Sequence, residues 1–181
     1  MIGSAATLKL GGFLLVHALW VVSDLPPDQI YVPSALCETA SAKRELVVFE
    51  AQTQGEAIGR GKAFLSAPPA RFVRCAFARD GRVNSSAGYI DVLSVSLWER
   101  GKGEIGIISQ PYRTPSQKAF ALVGQEVLIV DGKILAGGEN RDDRLAILEG
   151  IESHSGAAIL WRGWNAKREA GDPLEANSVS E

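Results

Sequence analysis

The stretch Gly88-Tyr-Ile-Asp-Val-Leu-Ser-Val-Ser-Leu-Trp-Glu99 decides the fold class. β-branched and aromatic residues fill it, and neither Gly nor Pro follows Gly88, so it reads as a long strand. Asn84-Ser85-Ser86 before it and Arg100-Gly101-Lys102-Gly103 after it are turn sequences. A strand closed in this way pairs with a neighbour on both sides, inside an antiparallel meander. Alternation sends Tyr89, Asp91, Leu93, Val95 and Leu97 to one face. It sends Ile90, Val92, Ser94, Ser96 and Trp98 to the other.

On the N-terminal side, residues 71–80 form the preceding strand, and Asp80-Gly81 is read as its turn. Ahead of it, Thr53-Gln54-Gly55-Glu56 is a capping box that starts a helix, which Ala67-Pro68-Pro69-Ala70 stops. Residues 30–39 and 44–51 form a hairpin, with Pro33 marking an edge strand or a strand start. Residues 5–22 are apolar, with an unbroken run of thirteen from Leu10 that includes His17. A helix of that run spans roughly 20 Å, short of the roughly 30 Å of a bilayer core. No small-x-small cleavage site follows it, so a core helix is expected rather than an export signal.

On the C-terminal side, residues 104–110 return as a strand that Pro111 ends. Residues 118–130 are strand-like, with a bulge expected at Gly124 and a second Asp-Gly turn at Asp131-Gly132. Residues 133–136 read as a short return strand. Asn140 is placed to cap a helix from Arg141, with Leu145, Leu148 and Ile151 on its inner face. Residues 157–164 read as a helix or an edge strand. Residues 165–181 are expected to be a disordered polar tail after a single domain over 1–164. The class is α+β: a mostly antiparallel curved sheet, hairpin plus meander, with an N-terminal apolar helix, a capped helix after strand 44–51 and a C-terminal helix. This order resembles the cone-shaped fold of the nuclear-transport-factor-2-like superfamily. The resemblance lies in element order and no residue motif carries it; that fold hosts both enzymes and interaction modules.

The 181 residues carry a net charge of -2, with 46% hydrophobic and 22% charged residues. No basic excess exists to neutralise phosphates, so nucleic acid is not an expected partner. Cys37 and Cys75 form no CxxC motif and read first as two buried free thiols, with a bridge between neighbouring strands as the alternative. Two histidines are too few to suggest a dedicated zinc site, and no phosphate loop, nucleophile elbow or dinucleotide fingerprint occurs. No cofactor or metal is therefore expected, nor a membrane span, and the expected location is the cytoplasm, with export as the alternative.

Asp91 shares a strand face with aliphatic residues, which marks it as a candidate acid or base, although near a strand end it also reaches solvent or an arginine. Glu50 ends its own strand and would form a carboxylate pair with Asp91 if the two strands were neighbours. His17 is a candidate catalytic partner of Asp91, or a core histidine with one hydrogen bond. Arg74, Tyr112 and Arg113 are candidates for an anion-binding corner. Trp98, flanked by Ser94 and Ser96, is either a protein-contact anchor or packed under a helix. Two functions follow. One is a non-catalytic interaction domain, self-associating or binding a partner protein through an exposed sheet face. The other is a small-molecule-binding domain or enzyme, with a pocket between sheet and N-terminal helix and Asp91 as acid or base.

Overall fold

The computed structural model describes residues 2–26, 28–85, 88–115, 119–135, 140–171 and 174. Its elements are α1 (Ala5–Asp24), β1 (Ser34–Thr39), β2 (Arg44–Val48), α2 (Gln54–Ser66), β3 (Phe72–Ser85), β4 (Gly88–Glu99), β5 (Gly103–Arg113), β6 (Ala121–Leu122), β7 (Val127–Val130), β8 (Lys133–Ile134), α3 (Arg141–Glu152) and α4 (Ala158–Ala166). The eight strands form one sheet in the order β2-β1-β3-β4-β5-β7-β8, with β6 paired to β5. Every pairing between these strands is antiparallel. The protein is α+β, and β4 lies between β3 and β5.

One face of the sheet carries the main core. Ala76, Ala78, Leu93, Val95, Leu97 and Ile108 meet Leu8, Leu15 and Leu19 of α1 there. α1 is longer than its apolar run suggests, because Ser4 Oγ accepts the Thr7 N–H and starts the helix well before Leu10. By length and composition it could cross a membrane, but 61% of its most apolar window is buried in the fold. Two glycines explain how α3 packs so closely on it. A Cβ at Gly12 would fall 2.0 Å from the Ile147 carbonyl oxygen, and one at Gly150 2.0 Å from that of Lys9. The inner face of α3 is therefore built on Ala146, Ile147, Gly150 and Ile151, whereas Leu145 and Leu148 face outward, contrary to expectation. Glu99, at the end of β4, anchors the start of α1 by accepting the Ser4 N–H at 2.8 Å and the Thr7 hydroxyl at 2.8 Å. Burial works to raise its pKa, but these bonds and that of Lys102 outweigh it and hold the carboxyl at about 2.

The opposite face is covered by α2, which starts where Thr53 Oγ1 accepts the Glu56 N–H at 3.2 Å. Beneath it lie Phe72, Phe77 and Trp98, with Phe49 beside them. Cys37 and Cys75 sit directly opposite each other on β1 and β3 and form a disulfide. The free-thiol expectation fails because the crossover through α2 brings β3 beside β1, a pairing that sequence distance does not reveal. β1 is likewise an interior strand that begins just after Pro33, and β2 takes the edge.

The two Asp-Gly dipeptides behave differently. Asp131-Gly132 makes the expected tight turn, with φ of 48° and 71°. Asp80-Gly81 does not turn at all: β3 continues to Ser85, with Gly81 opposite Val92 and Arg82 opposite Asp91. Residues 157–164 resolve as helix α4 (which runs on to Ala166), and Gly124 lies between β6 and β7 with φ of 60°. Part of the expected tail is packed. Arg168 donates to Gln110 Oε1 at 2.8 Å, and the Glu169 N–H to the Leu122 carbonyl at 2.9 Å. Residues 172–173 and 175–181 lie outside the described residues.

Candidate functional site

α1 ends at Asp24, but the face it covers does not end there. Along β3, Ala76 and Ala78 give way to Asp80 and Arg82; along β4, Leu97, Val95 and Leu93 give way to Asp91. Beyond the helix end these polar side chains line a cavity of about 390 Å³. Its other walls come from Val22 and Leu25, from the segment leading to Tyr31, and from Tyr112 near the end of β5. The size falls within the usual range for small-molecule sites.

Register sets the arrangement. Arg82 and Tyr112 flank Asp91 on the two neighbouring strands. Arg82 Nε donates to Asp91 Oδ1 at 2.8 Å. Asp80 lies one diagonal step from Asp91, since Leu93 is its direct partner. Asp80 Oδ1 accepts the Tyr112 hydroxyl at 2.7 Å and the Gly81 N–H at 2.9 Å. Tyr31, 4% exposed, shares a 2.7 Å hydrogen bond with Ser34 Oγ.

Burial pushes the Asp80 carboxyl up to about 6; the Asp91 charge adds to this, while the Tyr112 and Gly81 hydrogen bonds and the Arg82 charge oppose it. The Tyr31 hydroxyl is pushed up to about 12, by burial first and by the Asp80 charge last. Burial and the Asp80 charge also raise Tyr112, which therefore stays a donor. Arg82 is raised by its hydrogen bond and charge pairing with Asp91. The result is one carboxyl that gains or loses a proton near neutrality beside a second held by a guanidinium. Two carboxylates in different environments is an arrangement suited to acid–base work.

A second polar cluster lies further back along α1. His17 Nδ1 and His154 Nε2 are 3.1 Å apart, and His154 Nδ1 accepts the Ala157 N–H at 3.1 Å. The tautomers follow: His154 carries its proton on Nε2 and donates it to His17 Nδ1. Phe13 stacks on His154 at 4.5 Å, and Trp20 meets both rings edge-on at 6.2 and 5.7 Å. Both histidines have lowered pKa values, through burial first and, for His17, the charge of His154. Among the described residues no group of three or more His, Cys, Asp or Glu is placed to hold a metal ion.

The expected residues distribute as follows. Asp91 and Tyr112 meet in the cavity, but Asp80, which the turn reading had hidden, is the half-buried acid whose pKa is raised. Glu50 is exposed beyond β2, three strands from Asp91, so the expected pair does not form; Asp80 takes that place. His17 faces His154 and not Asp91. The anion corner does not assemble, because Arg74 pairs with Glu38 and Arg113 with Glu169. Trp98 is 9% exposed among the residues under α2, with the Arg100 guanidinium 5.6 Å from its ring. Ser94 bonds Ser109 at 3.0 Å and Ser96 accepts from Arg79 at 3.1 Å, both inside the sheet layer. All three side chains are thus largely buried, although Ser96 and Trp98 line a groove of about 630 Å³ beside α2.

Compared with known proteins, the chain matches no family model, no curated protein and no solved structure. The resemblance of element order noted above thus receives no support from them.

Proposed function

We propose that this chain binds a small polar molecule in the Asp80 cavity and that the Asp80 carboxyl exchanges a proton with it. The carrying observation is a half-buried carboxyl, its pKa raised to about 6, on the wall of a cavity of about 390 Å³. Perturbed acids in clefts are the groups that enzymes and ligand sites use. Tyr112 and Gly81 both donate to Oδ1, which leaves Oδ2 to carry the proton and offer it to an acceptor on the ligand. Asp91 accepts from Arg82 close by, and its charge works to raise the pKa of its neighbour. The test is an NMR screen of small neutral amides and heterocycles against the ¹⁵N-labelled chain at pH 5 and 7.5. Binding is expected to shift the Gly81 and Tyr112 amides and to weaken several-fold at the higher pH. The pH effect should vanish in Asp80→Asn. Binding that spares these amides, or that is unchanged between the two pH values, contradicts the reading.

The Cys37–Cys75 disulfide supports an oxidising compartment rather than the cytoplasm expected at first. Intact mass of the chain from its native cells, alkylated without reductant, tests this. No added alkyl group is the expected result, and two added groups contradict it.

A further inference from the structure

A second cavity, of about 220 Å³, lies between β7–β8 and the start of α3. Ile108, Leu128 and Ile147 form its apolar wall. Asn140 also lines it, and Asn140 is the residue that breaks a rule. It occupies the cap position of α3 yet makes no capping hydrogen bond with its side chain. It is 5% exposed, and its Oδ1 is buried without a hydrogen-bond partner. Buried side-chain acceptors are nearly always satisfied, so an orphan facing a cavity indicates a missing donor.

The charges at the rim answer one another. Arg144 Nη2 donates to Glu126 Oε1 at 2.8 Å, and Arg168 Nη2 reaches Glu126 Oε2 at 3.3 Å. Besides that ion pair the lining offers two neutral amides, buried Asn140 and exposed Gln125, on an otherwise apolar wall. An apolar cavity of about 150 Å³ holds benzene, and drug-sized ligands need about 300 Å³ or more. We infer that this cavity is a binding site, separate from the Asp80 cavity, for a small neutral molecule with an apolar body about the size of a substituted benzene ring and one hydrogen-bond donor, such as an amide or alcohol. The donor pairs with Asn140 Oδ1, and the ring lies against Ile108, Leu128 and Ile147.

Benzamide and toluene are suitable probes, since they share a ring and differ in the donor. Titrated into the full chain and followed by NMR, benzamide is expected to shift the Ile147 methyl and Asn140 side-chain amide signals and to bind more tightly than toluene. In Asn140→Leu its affinity should fall about tenfold, with toluene unaffected or tighter. Equal affinities for the two probes in the unaltered chain would overturn the inference. If Asn140→Leu does not fold, intermolecular NOEs in the unaltered chain decide. Contacts from benzamide ring protons to the Ile108 and Ile147 methyl groups support the site, and contacts from water alone overturn it.

Discussion

Two polar clusters lie along α1, and they respond to pH in opposite senses. At its C-terminal end Asp80 has a pKa raised to about 6 from 3.8. Between those values the folded chain holds a proton that the unfolded chain has released, so this cluster loses stability as pH rises through that window. Beside Phe13 and Trp20, His17 and His154 have pKa values lowered from 6.5. Just below 6.5 the unfolded chain holds protons that the folded one does not, so this cluster loses stability as pH falls. As a neutral pair, His154 is bonded at both ring nitrogens and His17 at Nδ1. The charged form of the acid keeps two hydrogen bonds, yet desolvation and the Asp91 charge work against it. Burial of the first kind suits structure, and burial of the second kind suits a site that waits for a ligand.

The comparison can be broken from either end. The largest effect is expected from Gly150→Val, whose side chain would collide with the Lys9 backbone and push α3 off α1. A loss of about 3 kcal/mol or more is expected. Urea unfolding should also show the acid-side histidine slope flattened, with the Asp80 slope retained. Asp80→Asn keeps an acceptor for Tyr112 and removes the half-buried charge. It should gain about 2–3 kcal/mol at pH 8 and almost nothing at pH 4, by the same unfolding measurement. His17→Phe removes one hydrogen bond at a cost of about 1 kcal/mol at pH 7.5 and should make stability less sensitive to acid below pH 6.5. The smallest effect belongs to Arg82→Gln. Its side chain is 71% exposed but Asp91 is buried, and glutamine keeps an N–H donor for that carboxylate, so a cost of about 1 kcal/mol or less is expected by the same unfolding measurement.

These clusters were unequally legible in the sequence. The alternation of β4 and its place inside a meander were readable, because a period of two over twelve residues admits one interpretation. Asp91 was readable for the same reason, whereas Tyr112 was expected in a loop past Pro111; β5 instead runs on to Arg113 and sets Tyr112 opposite Asp91. Asp80 was not, because Asp-Gly is a strong turn signal, and at 131–132 the same dipeptide does turn. At 80–81 the ladder of Arg82 with Asp91 and Val83 with Ile90 overrides it. A signal did exist: a partner strand ending at residue 80 would leave the start of β4 unpaired. The disulfide, and the pairing of His17 with His154, 137 residues away, depend on which elements pack side by side. Local sequence does not encode that. On α3 Ile151 was placed correctly, but Leu145 and Leu148 were not, because Ala146 and Gly150 beside Ile147 make the close contact and hydrophobic periodicity passes over small residues.

The most direct measurement is the titration of the Asp80 carboxyl carbon by ¹³C NMR, assigned through Asp80→Asn. A midpoint near 6 is predicted. A midpoint at 4 or below would mean that the carboxyl is solvated or paired in the folded chain, and would contradict the assignment of this cavity as an acid–base site.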